Sequence, residues 1–162
     1  MAVYDLGRML GVLCEEGVDF MLVGGIAAVL QGAPVLTQDV DILYQIEEQN
    51  LGRLEKALDR LHAVARGDPR NLRFDKSHLR TAGHKLSMTD AGPLDILGSI
   101  NEGLRYEDLI ATTDEIEVVG LRVRVISLER LVQVKRELAR PKDLAMLPVL
   151  EATLREKLAG KP

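Results

Sequence analysis

The chain has 162 residues, 46% hydrophobic and only 3% aromatic, with a formal net charge of −4. That length suits one domain with a sizeable core, and the composition excludes wholesale disorder. No apolar run approaches the roughly 18 residues of a membrane span, so no membrane partner is expected, and the single cysteine, Cys14, excludes an internal disulfide and a cysteine-based zinc site.

Met1 to Gly11 carries Asp5 and Arg8 and has neither a basic leader nor a cleavage site. It does not read as a signal peptide, and a cytoplasmic protein is the simplest expectation. Asp5 to Glu16 sets Leu6, Met9, Leu10 and Leu13 at helical spacing, with Gly17 as the stop. Phe20 to Val23 reads as a short buried strand, and Gly24-Gly25 turns the chain into a helix over Ile26 to Leu30. A second strand follows at Asp39 to Tyr44. Glu47 to Leu61 is an amphipathic helix with Leu51, Leu54, Leu58 and Leu61 on one face.

Arg66 to Leu79, rich in charge and turn residues, shows no clear pattern. Lys85 to Thr89 and Pro93 to Leu97 form two strands joined at Asp90-Ala91-Gly92, and Tyr106 to Ile110 a short helix. Glu115 to Val119 and Leu121 to Ile126 flank Gly120 as a hairpin or two successive strands. Ser127 caps a helix through Leu138. Arg140-Pro141 breaks or restarts that helix, and Pro148 is expected to divide the last segment, Lys142 to Leu158. The order of elements predicts a single α+β domain with a mixed sheet flanked by helices and a helical C-terminal tail.

The chemistry concentrates at Thr37-Gln38-Asp39-Val40-Asp41-Ile42. Side chains alternate along a strand, so Asp39 and Asp41 project to one side. Like charges held that close raise at least one pKa unless a cation lies between them. A hard divalent metal is the usual resolution, and Mg2+ held by one or two carboxylates plus a phosphate is its common setting. The Gly24-Gly25 pair lies between a buried strand and a helix, where backbone can approach a phosphate and helix N–H groups face it. Alone, such a pair is more often only a tight strand-to-helix connection.

Lys135 shares a helical stripe with Leu128, Leu131, Val132 and Leu138, so it must either snorkel out or meet an anion. Between Arg60 and Lys85 stand seven cations against Asp68 and Asp75, a local +5 that leaves −9 for the remainder. Such a segment either meets phosphates or is a solvated face. All three histidines lie in it, and His78 and His84 read as surface residues.

Gly24-Gly25, the Thr37-x-Asp39-x-Asp41 strand and the later acid in Leu94-Asp95-Ile96-Leu97 resemble the DNA polymerase β-like nucleotidyltransferase superfamily. More narrowly, the chain is similar to the small AbiEii- and MenT-like nucleotidyltransferases of toxin–antitoxin systems. Thr89-x-x-Gly92-Pro93-Leu94-Asp95 matches their third-acid hairpin, and Ser127 to Arg136 followed by Arg140-Pro141-Lys142-Asp143-Leu144 matches their closing motif. Met146 departs from it, standing near a position where that group often has another acid.

The resemblance implies one nucleotidyltransferase domain over 1–162, with a core of about 20–126 and C-terminal helices over about 127–160. It implies Asp39, Asp41 and Asp95 as the catalytic acids: Asp39 and Asp41 hold Mg2+, with Mn2+ as a substitute, and Asp95 joins them or acts as base towards an acceptor hydroxyl. Gly24 and Gly25 would cradle the triphosphate, with Thr37, Lys135 and Lys142 beside it and Arg140 and Asp143 in support. It also implies a nucleoside triphosphate as substrate, tRNA or a protein as acceptor, and a cognate antitoxin as partner. The alternatives are transfer to a small molecule such as an antibiotic, and a catalytically weak nucleotide-binding or antitoxin-interacting domain.

Overall fold

The helix expected over residues 5–16 forms as α1 (Leu6–Glu15), with Met9, Leu10 and Leu13 fully buried, in the computed structural model, which describes residues 4–160. Both ends of the expected 1–162 domain, residues 1–3 and 161–162, therefore lie outside the described residues. Asp5 caps α1 by accepting a hydrogen bond from the Arg8 amide at 3.0 Å. The chain continues through β1 (Phe20–Val23), α2 (Gly24–Leu30), β2 (Val40–Tyr44) and α3 (Glu48–Arg60). Two short elements follow, β3 (Val64–Ala65) and α4 (Lys76–Leu79), and then the hairpin of β4 (His84–Thr89) and β5 (Gly92–Leu97). After α5 (Tyr106–Leu109) and a 3-10 turn come β6 (Thr113–Val118) and β7 (Leu121–Ile126), and the chain closes with α6 (Leu128–Leu138) and α7 (Pro141–Ala159).

The strands form one seven-stranded sheet in the order β3-β4-β5-β2-β1-β7-β6. It is mixed: β1 runs antiparallel to β2 and parallel to β7, while β2 runs parallel to β5. This is the α+β architecture expected from the order of elements. Alternation along the strands separates two faces. Val40, Ile42 and Tyr44 of β2 and Leu94 and Ile96 of β5 are wholly buried. The opposite face of the same strands carries Asp41 and Asp95, both only partly buried. The β6–β7 hairpin turns on Val119 and Gly120, with φ of 52° and 79°. Two successive left-handed residues match the twist of the strands they join, and Val119 adopts this despite its branched side chain.

Three expectations are adjusted. Helix α2 starts at the glycine pair itself rather than at Ile26, and Asp39 precedes β2 instead of opening it. Pro148 does not divide the tail: α7 runs unbroken for 19 residues with Pro148 inside it. A proline there deprives only the carbonyl four residues back of its donor. That residue is Leu144, which is itself exposed, so its carbonyl has water within reach. Leu147 and Leu150, buried on either side of Pro148, hold the helix down. Among the described residues no helix is long and apolar enough to cross a membrane.

Candidate active site

Strand register assembles the acids. Val23 pairs with Asp41 across β1–β2, Asp41 with Asp95 across β2–β5, and Asp95 with Leu86 across β5–β4. In-register neighbours share a face, so Val23, Asp41, Asp95 and Leu86 form one row across the open side of the sheet. Asp39, just before β2, folds onto the same point. One carboxylate oxygen from each of Asp39, Asp41 and Asp95 lies within 4.8 Å of the others.

The crowding has the electrostatic consequence expected of it. Burial, then the charges of Asp95 and Asp39, push the Asp41 carboxyl up to about 7, with Lys135 opposing. Asp39 is raised as well, by burial and by its hydrogen bond with Asp95, against the pull of Arg66. Among the described residues, Asp41 Oδ1 is buried without a hydrogen-bond partner. Three hard oxygen donors around an orphaned carboxylate oxygen fit a divalent cation such as Mg2+ or Mn2+.

Both glycines make room for this cluster. Gly24 has φ of +69°, and a Cβ built there would fall on Asp41 Oδ2. A Cβ on Gly25 would lie 2.9 Å from Thr37 Oγ1. Thr37 in turn donates to the Asp39 carbonyl at 3.0 Å and braces the loop that delivers the first acid. Besides opening the backbone at the start of α2, the glycine pair lets the acid strand and its loop pack against that helix.

A cleft of about 430 Å³ opens over the acids. Gly24, the three acids, Lys135, Arg140 and Lys142 are among the residues that line it. Gly25, Thr37 and Asp143 are not among its lining residues. Lys135 meets an anion, but one supplied by α7 rather than by the acid cluster: its Nζ lies 3.1 Å from Asp143 Oδ1. Arg140 Nε donates to Asp143 Oδ2 at 2.6 Å. Burial pushes the wholly enclosed Asp143 upward, yet the bonds from Arg140 and Lys135 prevail and hold it below the usual carboxylate range. Asp143 thus pairs with both Lys135 and Arg140. Lys142 is exposed at the cleft.

The basic segment is largely spent on local ion pairs. Arg60 meets Glu15 and Glu16, Arg70 meets Asp68, Arg73 meets Asp59, and Lys76 and Arg80 share Glu48. Lys85 is buried, donating to the carbonyls of Thr81 and Gly83 at 2.7 and 2.8 Å. Arg66 reaches the acids themselves, which sequence reasoning did not foresee. Its Nη2 donates to Asp95 Oδ1 at 2.5 Å and to the Ser87 carbonyl at 2.9 Å, and Nη1 lies 3.9 Å from Asp39 Oδ2. His78 takes part in the N-terminal cap of α4 with Asp75, on the surface as expected. His84 is also exposed, but it stands at the wall of the cleft with Nε2 2.9 Å from the Ser99 carbonyl.

A family model described as "Nucleotidyl transferase of unknown function (DUF2204)" matches residues 2–160. No curated protein sequence matches the chain. Among solved structures, TM1012 of Thermotoga maritima, itself a nucleotidyltransferase by assignment, superposes with a TM-score of 0.57 at 22% identity, covering 96% of this chain and 91% of its own. The structure of ANT(2″)-Ia in complex with adenylyl-2″-tobramycin superposes with a TM-score of 0.62 at 16% identity, covering 95% and 90%. At these identities the likeness is one of fold.

Proposed function

The chain belongs to the DUF2204 nucleotidyl transferase family, and from that membership we propose that it moves a nucleoside monophosphate from a nucleoside triphosphate to an acceptor hydroxyl, releasing pyrophosphate. The observation that carries the reading is the in-register placement of Asp41 and Asp95, with Asp39 folded onto them within 4.8 Å. Asp39, Asp41 and Asp95 would hold Mg2+ or Mn2+, which when bound neutralises charge on the attacked phosphate and the leaving pyrophosphate. The start of α2 at Gly24 and Gly25 would receive the triphosphate, with Thr37 fixing the loop opposite. Lys142 and Arg140 would supply positive charge at the cleft wall, and Lys135 would do so from its anchor on Asp143. Asp95 suits the metal set by its place beside Asp41 in the row, with one carboxylate oxygen within 4.8 Å of those of Asp39 and Asp41.

For the acceptor, the resemblance to toxin-type enzymes favours tRNA or a protein, with an antitoxin as partner and the cytoplasm as location. The pairing of the basic segment favours a different class, a small hydroxylated molecule such as an antibiotic. With Arg60, Arg70, Arg73, Lys76 and Arg80 each bound to an acid, few free cations remain in that segment to follow a nucleic-acid backbone. We adopt the small acceptor as the reading the geometry supports better.

The test incubates the purified protein with each labelled nucleoside triphosphate and Mg2+, together with total tRNA, a protein extract or a panel of hydroxylated antibiotics. Label should pass to a small acceptor and be lost in Asp39→Ala. Transfer to tRNA or protein would restore the toxin-type reading. Absence of transfer to every acceptor, with nucleotide still bound, would leave a binding domain.

A further inference from the structure

Arg66 stands at the exit of the edge strand β3, with its backbone amide bonded to the Leu86 carbonyl at 2.9 Å. That anchor puts it beside the row that ends in Leu86, Asp95 and Asp41. From there its side chain crosses β4 to Asp95 on β5, taking the Ser87 carbonyl on the way. The side chain is only 29% exposed, and its Nε is buried without a partner among the described residues. An arginine on a surface strand has no packing reason to be drawn in this far, and an unpartnered guanidinium nitrogen is an uncompensated cost. What compensates is charge. Three carboxylates crowd one point, and Lys135, the cation opposing them from α6, already belongs to Asp143.

We infer that Arg66 is the resident counter-cation of the acid cluster: it holds Asp95 and steadies Asp39 in the metal-free protein, and competes with a divalent ion for the same carboxylates. The inference rests on the reading of these acids as a metal site. Arg66 is a positioning residue in this scheme, because it acts through Asp95. Its charge would set how tightly the metal binds and would keep the cleft assembled between turnovers.

The test compares wild type, Arg66→Lys, Arg66→Gln and Arg66→Gln/Asp95→Asn in two measurements: thermal unfolding with chelator, and Mn2+ binding by calorimetry. Arg66→Gln should lower the metal-free melting temperature by about 3–6 °C. It should also tighten Mn2+ binding by about tenfold, since a competing positive charge has left. Arg66→Lys should restore both values towards wild type. The double variant, relieved of one acid, should recover melting temperature while binding Mn2+ more weakly than Arg66→Gln, since it lacks one of the three acids. Equal loss of stability with and without Mn2+, at unchanged Mn2+ affinity, would show an arginine that only packs and would overturn the inference. Weaker Mn2+ binding in Arg66→Gln would overturn it too. If wild type binds no Mn2+, the metal reading fails, and this inference fails with it. That outcome is told from the others because it appears before any substitution is made.

Discussion

Asp41 sits half-enclosed beside two other carboxylates, with one buried oxygen that nothing among the described residues bonds. Such a group weakens the fold that holds it, and it persists at sites where the charge is used. Its folded pKa, about 7, lies above the ordinary carboxylate value. Below about pH 4 both folded and unfolded chains keep the proton. As pH rises from there to about 7 the unfolded chain gives it up first, so stability falls through that window. Asp41→Asn should therefore abolish transfer, flatten this part of the metal-free stability profile, and leave the variant about 1–3 kcal/mol more stable than wild type at pH 8. Chemical denaturation at several pH values with chelator checks it, and a destabilised variant would mean that the carboxylate has a compensating partner. Legibility at this scale follows distance along the chain. Asp39 and Asp41 declared themselves because two acids two positions apart at the head of an apolar run stand out locally, although Asp39 reaches the site from the loop before β2 and not by strand alternation. Arg66 did not, because its partner Asp95 is 29 positions away and joins it only through β3–β4–β5 pairing.

Among the elements, α6 and α7 are joined by an Arg136–Glu151 pair and, more deeply, through the buried carboxylate of Asp143. Asp143 stands in the first turn of α7, where it accepts the Arg140 amide at 3.3 Å, and it also takes Lys135 from α6 and the Arg140 side chain. It has no exposed surface. Neutralising a buried partner of this kind strands the cation it held, at a cost of about 3–5 kcal/mol when nothing replaces it. Lys135 keeps some access to the cleft, so Asp143→Asn should cost about 2–3 kcal/mol and raise the KM for the nucleoside triphosphate more than it lowers kcat. Urea unfolding and steady-state kinetics measure the two effects, and a kcat loss with unchanged KM would place Asp143 elsewhere in the reaction. The sequence stripe that put Lys135 on an inward face was informative, and so was the Ser127 cap that starts α6. The continuity of α7 was not legible, since it depends on Leu147 and Leu150 finding a core beneath Pro148. Nor was β3, whose two residues are too few to carry a period.

Across the whole molecule, charge is distributed so that the basic stretch neutralises its own surroundings. The local +5 between Arg60 and Lys85 lies in a chain of −4, and the acids that answer it come from α1, α3 and the segment itself. Each such surface pair contributes about 0–1 kcal/mol, so their combined effect on stability is small, but their effect on recognition is larger. A cation already paired releases few counterions on meeting a phosphate, and the remaining −9 repels a polyanion. The protein should therefore retain tRNA only weakly at about 50 mM salt and not measurably at about 200 mM, while nucleoside triphosphate binding with Mg2+ persists. Filter binding of labelled tRNA across that range decides the matter. Retention that survives the higher salt, and that falls when Arg70 and Arg73 are replaced by alanine, would mean the ion pairs open to receive RNA. The acceptor would then be a nucleic acid despite the acidic balance of the chain.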